Sequence, residues 1–119
     1  MSWKKLTEEN VIANLTRREL DLHRNEFEVD VVREILVETV DLVRGSIESG
    51  RKCQLSPEAG TIPAMLVSPS IDYAIFSLLK RINVVPNEAR TKAYDKATSL
   101  FDKIAAGQIT PPDGVDPTP

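Results

Sequence analysis

The stretch Asn87-Glu-Ala-Arg-Thr-Lys-Ala-Tyr-Asp-Lys-Ala-Thr-Ser-Leu-Phe-Asp-Lys-Ile-Ala-Ala-Gly-Gln108 decides the fold class. Apolar residues fall at Ala89, Ala93, Tyr94, Ala97, Leu100, Phe101, Ile104 and Ala105, the three-and-four spacing of one helical face. Asn87 is placed to accept first-turn amide hydrogen bonds as N-cap, and Pro86 before it ends whatever precedes. Gly107 stands where a left-handed residue closes a helix, and Thr110-Pro-Pro112 prevents resumption. Glu88 and Lys92 add a supporting pair at the favourable four-residue spacing. The stretch predicts an amphipathic helix over about 88–106, capped at both ends, carrying nothing that resembles chemistry.

Working outward, Ser68-Pro69 forms an N-cap with proline at the first helical position. Ile71, Ala74, Ile75, Leu78, Leu79 and Ile82 then mark a helix over about 69–82, apolar nearly all round until Lys80-Arg81. It reads as the central, buried helix. Pro63 to Val67 reads as a helical turn, with a single longer helix bending at Pro69 as the alternative. Upstream, Asp30 opens an element over about 31–49, with Val32, Leu36, Val40, Val43 and Ile47 on one face, widened by Ile35 and Thr39. The β-branched content hints at strand, but a 3.6 period over nearly twenty residues decides for helix. Gly45 inside it suggests a close helix crossing, and Gly50 ends it. Arg51 to Ile62 has turn composition.

Near the N-terminus, Thr7 with Glu8 and Glu9 opens a helix of about two turns. Thr16-Arg-Arg-Glu19 has the spacing of a capping box and starts another. The matched long helices suit antiparallel packing with the 69–82 helix wedged between them. The expected fold is therefore all-α: a small helical bundle of two long helices, a central apolar helix and short N-terminal helices. Residues 1–109 form one domain, and 110–119, with four of the eight prolines, an extended and mobile tail.

The 119 residues fit one domain by length, and 41% hydrophobic content with only 5% aromatics asks for a core of Leu, Ile, Val and Ala. Fifteen basic against eighteen acidic residues give a net charge of −3. The basic residues are scattered among acids, whereas a nucleic-acid surface needs clustered positive charge, so sequence-specific nucleic-acid binding is disfavoured. Cys53 is the single cysteine, which rules out an intrachain disulfide. No stretch approaches the roughly 20 apolar residues of a membrane helix, and Met1-Ser-Trp-Lys-Lys-Leu-Thr has no signal-peptide core. These features predict a soluble chain.

Candidate chemistry is sparse. His23 is the sole histidine, four residues after Glu19, and reads as a surface or boundary residue rather than part of a relay. Cys53 follows Arg51-Lys52, whose charge favours a thiolate, but no base is in view. Glu34, Glu38, Asp41 and Glu48 repeat at helical spacing, but one row on one helix does not converge on a cation, and it reads as a solvated face. No phosphate loop, Cys-x-x-Cys pair or nucleophile elbow occurs. The expectation is a protein without enzymatic activity and without a metal or other cofactor.

The order of elements resembles a family of small helical head–tail connector (head completion, or adaptor) proteins of Mu-like phages and prophages. The resemblance covers roughly residues 3–110. It runs from Trp3 and Leu6-Thr-Glu-Glu-Asn through Asn14-Leu15-Thr16-Arg-Arg-Glu-Leu20 and the long acidic helix ending at Gly50. It continues with Pro63, Ser70-Ile-Asp72-Tyr-Ala and Tyr94-Asp-Lys-Ala97. Ile104-Ala-Ala-Gly107 is its specific element. The chain departs from the family pattern at Arg51-Lys52-Cys53-Gln54, where members carry an aromatic. It departs again at Arg24-Asn-Glu-Phe-Glu-Val, which replaces a short acidic Asp-Gly insertion.

The resemblance implies a structural role in the virion neck, after assembly in the bacterial host cytoplasm. Members form a homo-oligomeric ring of about a dozen copies on the portal and bridge it to tail or stopper proteins, with no small-molecule substrate and no membrane. On that basis the candidate partner contacts are Arg51, Lys52, Gln54 and Leu55 in the loop and Ile109, Thr110, Pro111 and Pro112 at the tail. The rival class is a small cytoplasmic helix-turn-helix-like DNA-binding regulator, using Thr7–His23 with Arg17, Arg18 and Arg24. The acidic balance and the short first helix argue against it.

Overall fold

The computed structural model describes residues 3–17, 19, 29–51, 55, 57–82 and 84–109. Its elements in chain order are β1 (Trp3–Lys5), α1 (Glu8–Ala13), α2 (Val29–Gly50), β2 (Thr61–Pro63), a 3-10 turn (Ala64–Leu66), α3 (Val67–Arg81) and α4 (Glu88–Ala105). The predicted all-α bundle is what forms. Its two long helices and central helix lie within two residues of the predicted limits. The body of the second N-terminal helix beyond Glu19, His23, Cys53 and the tail lie outside the described residues.

The caps explain where the helices begin and end. Thr7 accepts from the Asn10 amide while the Asn10 side chain accepts from the Thr7 amide at 2.9 Å, a reciprocal box that opens α1. Thr16 and Glu19 form the predicted second box, the Thr16 amide donating to Glu19 Oε1 at 2.8 Å. Asn87 Oδ1 accepts from the Arg90 amide at 2.8 Å and starts α4. Gly107, at φ 74°, closes α4 in a Schellman motif, with the Gln108 amide on the Lys103 carbonyl and the Gly107 amide on that of Ile104.

Three details of helix limits and direction differ from expectation. Helix α2 includes Val29, so it begins before Asp30. Helix α3 begins at Val67 rather than at Pro69. Proline is tolerated in its first turn because the amide it lacks has no intrahelical acceptor there. The long helices also run parallel rather than antiparallel. Arg81 at the end of α3 pairs with Glu34 and Glu38 in the first half of α2, while Tyr73 meets Phe101 and Phe76 meets Tyr94. Helix α3 is therefore antiparallel to both, and two reversals return the chain to its first direction. The three helices pack pairwise around one core.

That core is aliphatic, as composition required. From α2 come Val32, Ile35, Leu36, Val40, Val43 and Ile47, from α3 Ile71, Ala74, Ile75, Leu78 and Leu79, and from α4 Ala97, Phe101 and Ile104. Buried Thr39 and Ser46 return their hydroxyls to the carbonyls of Ile35 and Leu42, whereas Ser70 Oγ is buried with no partner among the described residues. The predicted close crossing is absent at Gly45, whose added Cβ would meet nothing within 4 Å. It occurs at Gly50, where a Cβ would overlap the Ile104 carbonyl oxygen of α4. With Gly50 helical, the left-handed position falls to Arg51, at φ 54°.

The ribbon of β1 and β2 was not expected. Its antiparallel register sets Trp3 opposite Pro63, Lys4 opposite Ile62 and Lys5 opposite Thr61. Arg44 of α2 fastens it, donating to the Thr61 carbonyl at 2.6 Å while its guanidinium lies 5.7 Å from the Trp3 ring centroid.

Candidate functional site

The residues singled out as partner contacts divide into three groups. Arg51 is exposed at the end of α2. Leu55 and Ile109 are half-buried, each packed in part against the core. Lys52, Gln54, Thr110, Pro111 and Pro112 lie outside the described residues. The acidic row Glu34, Glu38, Asp41 and Glu48 is exposed, and its first two members are engaged by Arg81. No group of three or more His, Cys, Asp or Glu able to hold a metal occurs among the described residues.

The most developed polar arrangement joins the N-terminal segment to α4. Arg90, in the first turn of α4, forks onto Glu19, with Nε 3.0 Å from Oε2 and Nη2 2.6 Å from Oε1. Nη2 also donates to the Asn14 carbonyl at 2.8 Å. The side chains are only 15% and 10% exposed, so solvent screens this pair little. Burial alone would raise the Glu19 carboxyl. The Arg90 hydrogen bonds, the Thr16 amide and the Arg90 charge outweigh it and hold the group below the ordinary glutamate range. Sequence reading found Glu19 as a cap and missed its partner. A signal existed: a cation in the first turn opposes the helix dipole, which argues for a tertiary acceptor.

Beside this pair a groove of about 490 Å³ runs between α3 and α4. Pro69, Ala93 and Leu100 supply apolar surface over the buried Ala97, Ser68 and Asp72 one wall, and Lys96 the other rim. Asp72 is half-buried. Desolvation raises its carboxyl above the ordinary aspartate range, and the Arg90 charge offsets this only in part. Between the same two helices, Tyr94 stacks on Phe76 at 3.9 Å and on Tyr73 at 5.3 Å, locking α3 to α4.

The Glu19 carboxylate is engaged by Arg90 and the Thr16 amide, and the groove offers apolar contact with a polar rim. Among the described residues, no helix is long and apolar enough to cross a membrane. Comparison of the chain with family models, with characterised proteins and with solved structures gave no match.

Proposed function

We propose that the chain is a structural protein of the head–tail connector type, joining a phage or prophage portal to tail components by oligomeric assembly. What supports it is the resemblance in element order: a capped N-terminal turn, a long acidic helix closed at Gly50, an apolar central helix, and a last helix ended by Ile104-Ala-Ala-Gly107. The Schellman closure at Gly107 and the aliphatic three-helix core support a small, rigid body, which suits this reading. In this reading Arg51, Lys52, Gln54 and Leu55, with Ile109 to Pro112, meet portal and stopper proteins, and other helix faces meet neighbouring copies.

Sequencing several kilobases on either side of the gene tests the proposal. A portal or major capsid gene upstream and tail genes downstream support it. The portal from that locus, mixed with this protein, is then expected to show an added ring by electron microscopy. Metabolic or regulatory neighbours, or a portal that stays bare at saturating protein, would overturn it.

A further inference from the structure

The exposed face of α4 segregates charge. At about 100° per residue, Lys92, Lys96 and Lys103 fall within a sector of roughly 40° that borders the groove residues Ala93 and Leu100. Glu88, Asp95 and Asp102 fall on the side away from it. All three lysines are exposed, and Lys96 and Lys103 have no ion-pair partner among the described residues. A lysine row thus runs beside an apolar groove that lies along α4 between Ala93 and Leu100.

The C-terminal sequence is complementary to this surface. After Gly107 turns the chain across the helix end, Ile109 packs on the core. Residues 110–119 then supply Pro111, Pro112, Val115, Pro117 and Pro119 as apolar groups, with Asp113 and Asp116 as their only charged side chains. In a polyproline-type helix, with three residues per turn rising about 3.1 Å each, the two aspartates would fall on one side, about 9 Å apart. Lys96 and Lys103 are about 10 Å apart along α4. Ten extended residues reach roughly 30 Å, more than the distance of about 18 Å from the end of α4 back to Ala93.

We propose that residues 110–119 lie back along the groove of their own chain, prolines and Val115 on Ala93 and Leu100, and Asp113 and Asp116 against Lys103 and Lys96. A proline-rich segment loses little entropy on such docking. The proposal is independent of the connector reading. It concerns how the free chain covers its own groove, and any partner of that groove then competes with the tail.

The test uses the full chain carrying Cys53→Ser and Thr118→Cys, with a nitroxide on the new thiol. Amide signals of Ala93, Lys96 and Leu100 should lose most of their intensity, independently of protein concentration, while those of β1 and α1 keep theirs. Adding Lys96→Glu and Lys103→Glu, both on exposed positions, should restore the signals severalfold without changing the far-ultraviolet circular dichroism. Broadening absent from the groove, unaffected by the charge reversals, or lost on dilution (a neighbour's tail rather than the chain's own) would overturn the proposal.

Discussion

Replacing Arg90 by Met removes the two hydrogen bonds to Glu19 and the one to the Asn14 carbonyl while keeping most of the side-chain volume. The cost is dominated by what stays behind, a carboxylate 10% exposed with no countercharge. Breaking a buried pair from one side costs about 3–5 kcal/mol. For a domain of this size that lowers Tm by roughly 10–20 °C. Glu19→Gln is the informative partner, because glutamine keeps the capping hydrogen bond to the Thr16 amide while removing the charge and one acceptor of the fork. Urea unfolding of wild type, both single variants and the double variant, followed at 222 nm, gives the coupling energy. About 2 kcal/mol is expected for a charge-assisted fork.

Salt separates this from a surface effect: the coupling should survive 1 M NaCl, whereas an exposed pair would be screened away. The pH dependence has a defined sign. A lowered carboxyl stabilises the fold above the ordinary glutamate pKa, about 4.3, and that contribution is lost as pH falls through the lower folded value. Glu19→Gln should therefore flatten the acid limb of the stability profile. A cost for Arg90→Met below about 1 kcal/mol, or a coupling indistinguishable from zero, would refute the reasoning, since surface pairs behave that way.

Four further outcomes are expected. Gly50→Ala drives a methyl into the Ile104 backbone and should cost about 2–3 kcal/mol in chemical denaturation, whereas Gly45→Ala, facing open space, should stabilise by about 1 kcal/mol. Ser70→Ala removes an unpartnered buried hydroxyl and should raise stability by about 1 kcal/mol, read as a higher urea midpoint at unchanged slope. Arg51→Gly relieves a left-handed arginine at the end of α2, and a thermal melt should show a gain of about 0.5–1 kcal/mol after the entropy of the unfolded glycine is counted. Asp72→Asn should raise Tm at pH 7. Burial raises the Asp72 carboxyl, so its ionisation works against folding as pH rises through and above about 3.9, and the gain should vanish below that pH.

Much of this architecture was legible locally. The seam Val32, Leu36, Val40, Val43 and Ile47 is buried as its spacing implied, and the Thr16–Glu19 box and Gly107 closure form as their spacing implied. The ribbon was not legible: three residues per strand carry no periodicity, and the strands lie far apart in sequence. Gly45 and Gly50 sit on one helix with identical chemistry, and only the crossing geometry tells which one meets a neighbour. Of the sites, the acidic row was read correctly as a solvated face. The Glu19–Arg90 fork and the α3–α4 groove needed the third dimension, because each joins residues whose local roles were already accounted for as caps and helix faces.

The fork also bears on the order in which the molecule comes together. Helices α3 and α4 are neighbours across a short linker and can zip early, since little loop entropy opposes their meeting. Arg90 and Glu19 are 71 residues apart, and the β1–β2 ribbon closes a comparably large loop. These two fastenings hold the N-terminal segment to a bundle that must already exist to receive it. The segment should therefore arrive late in folding. In the native protein it should also be the first to detach, with the amides of β1 and α1 exchanging with solvent ahead of those in α3.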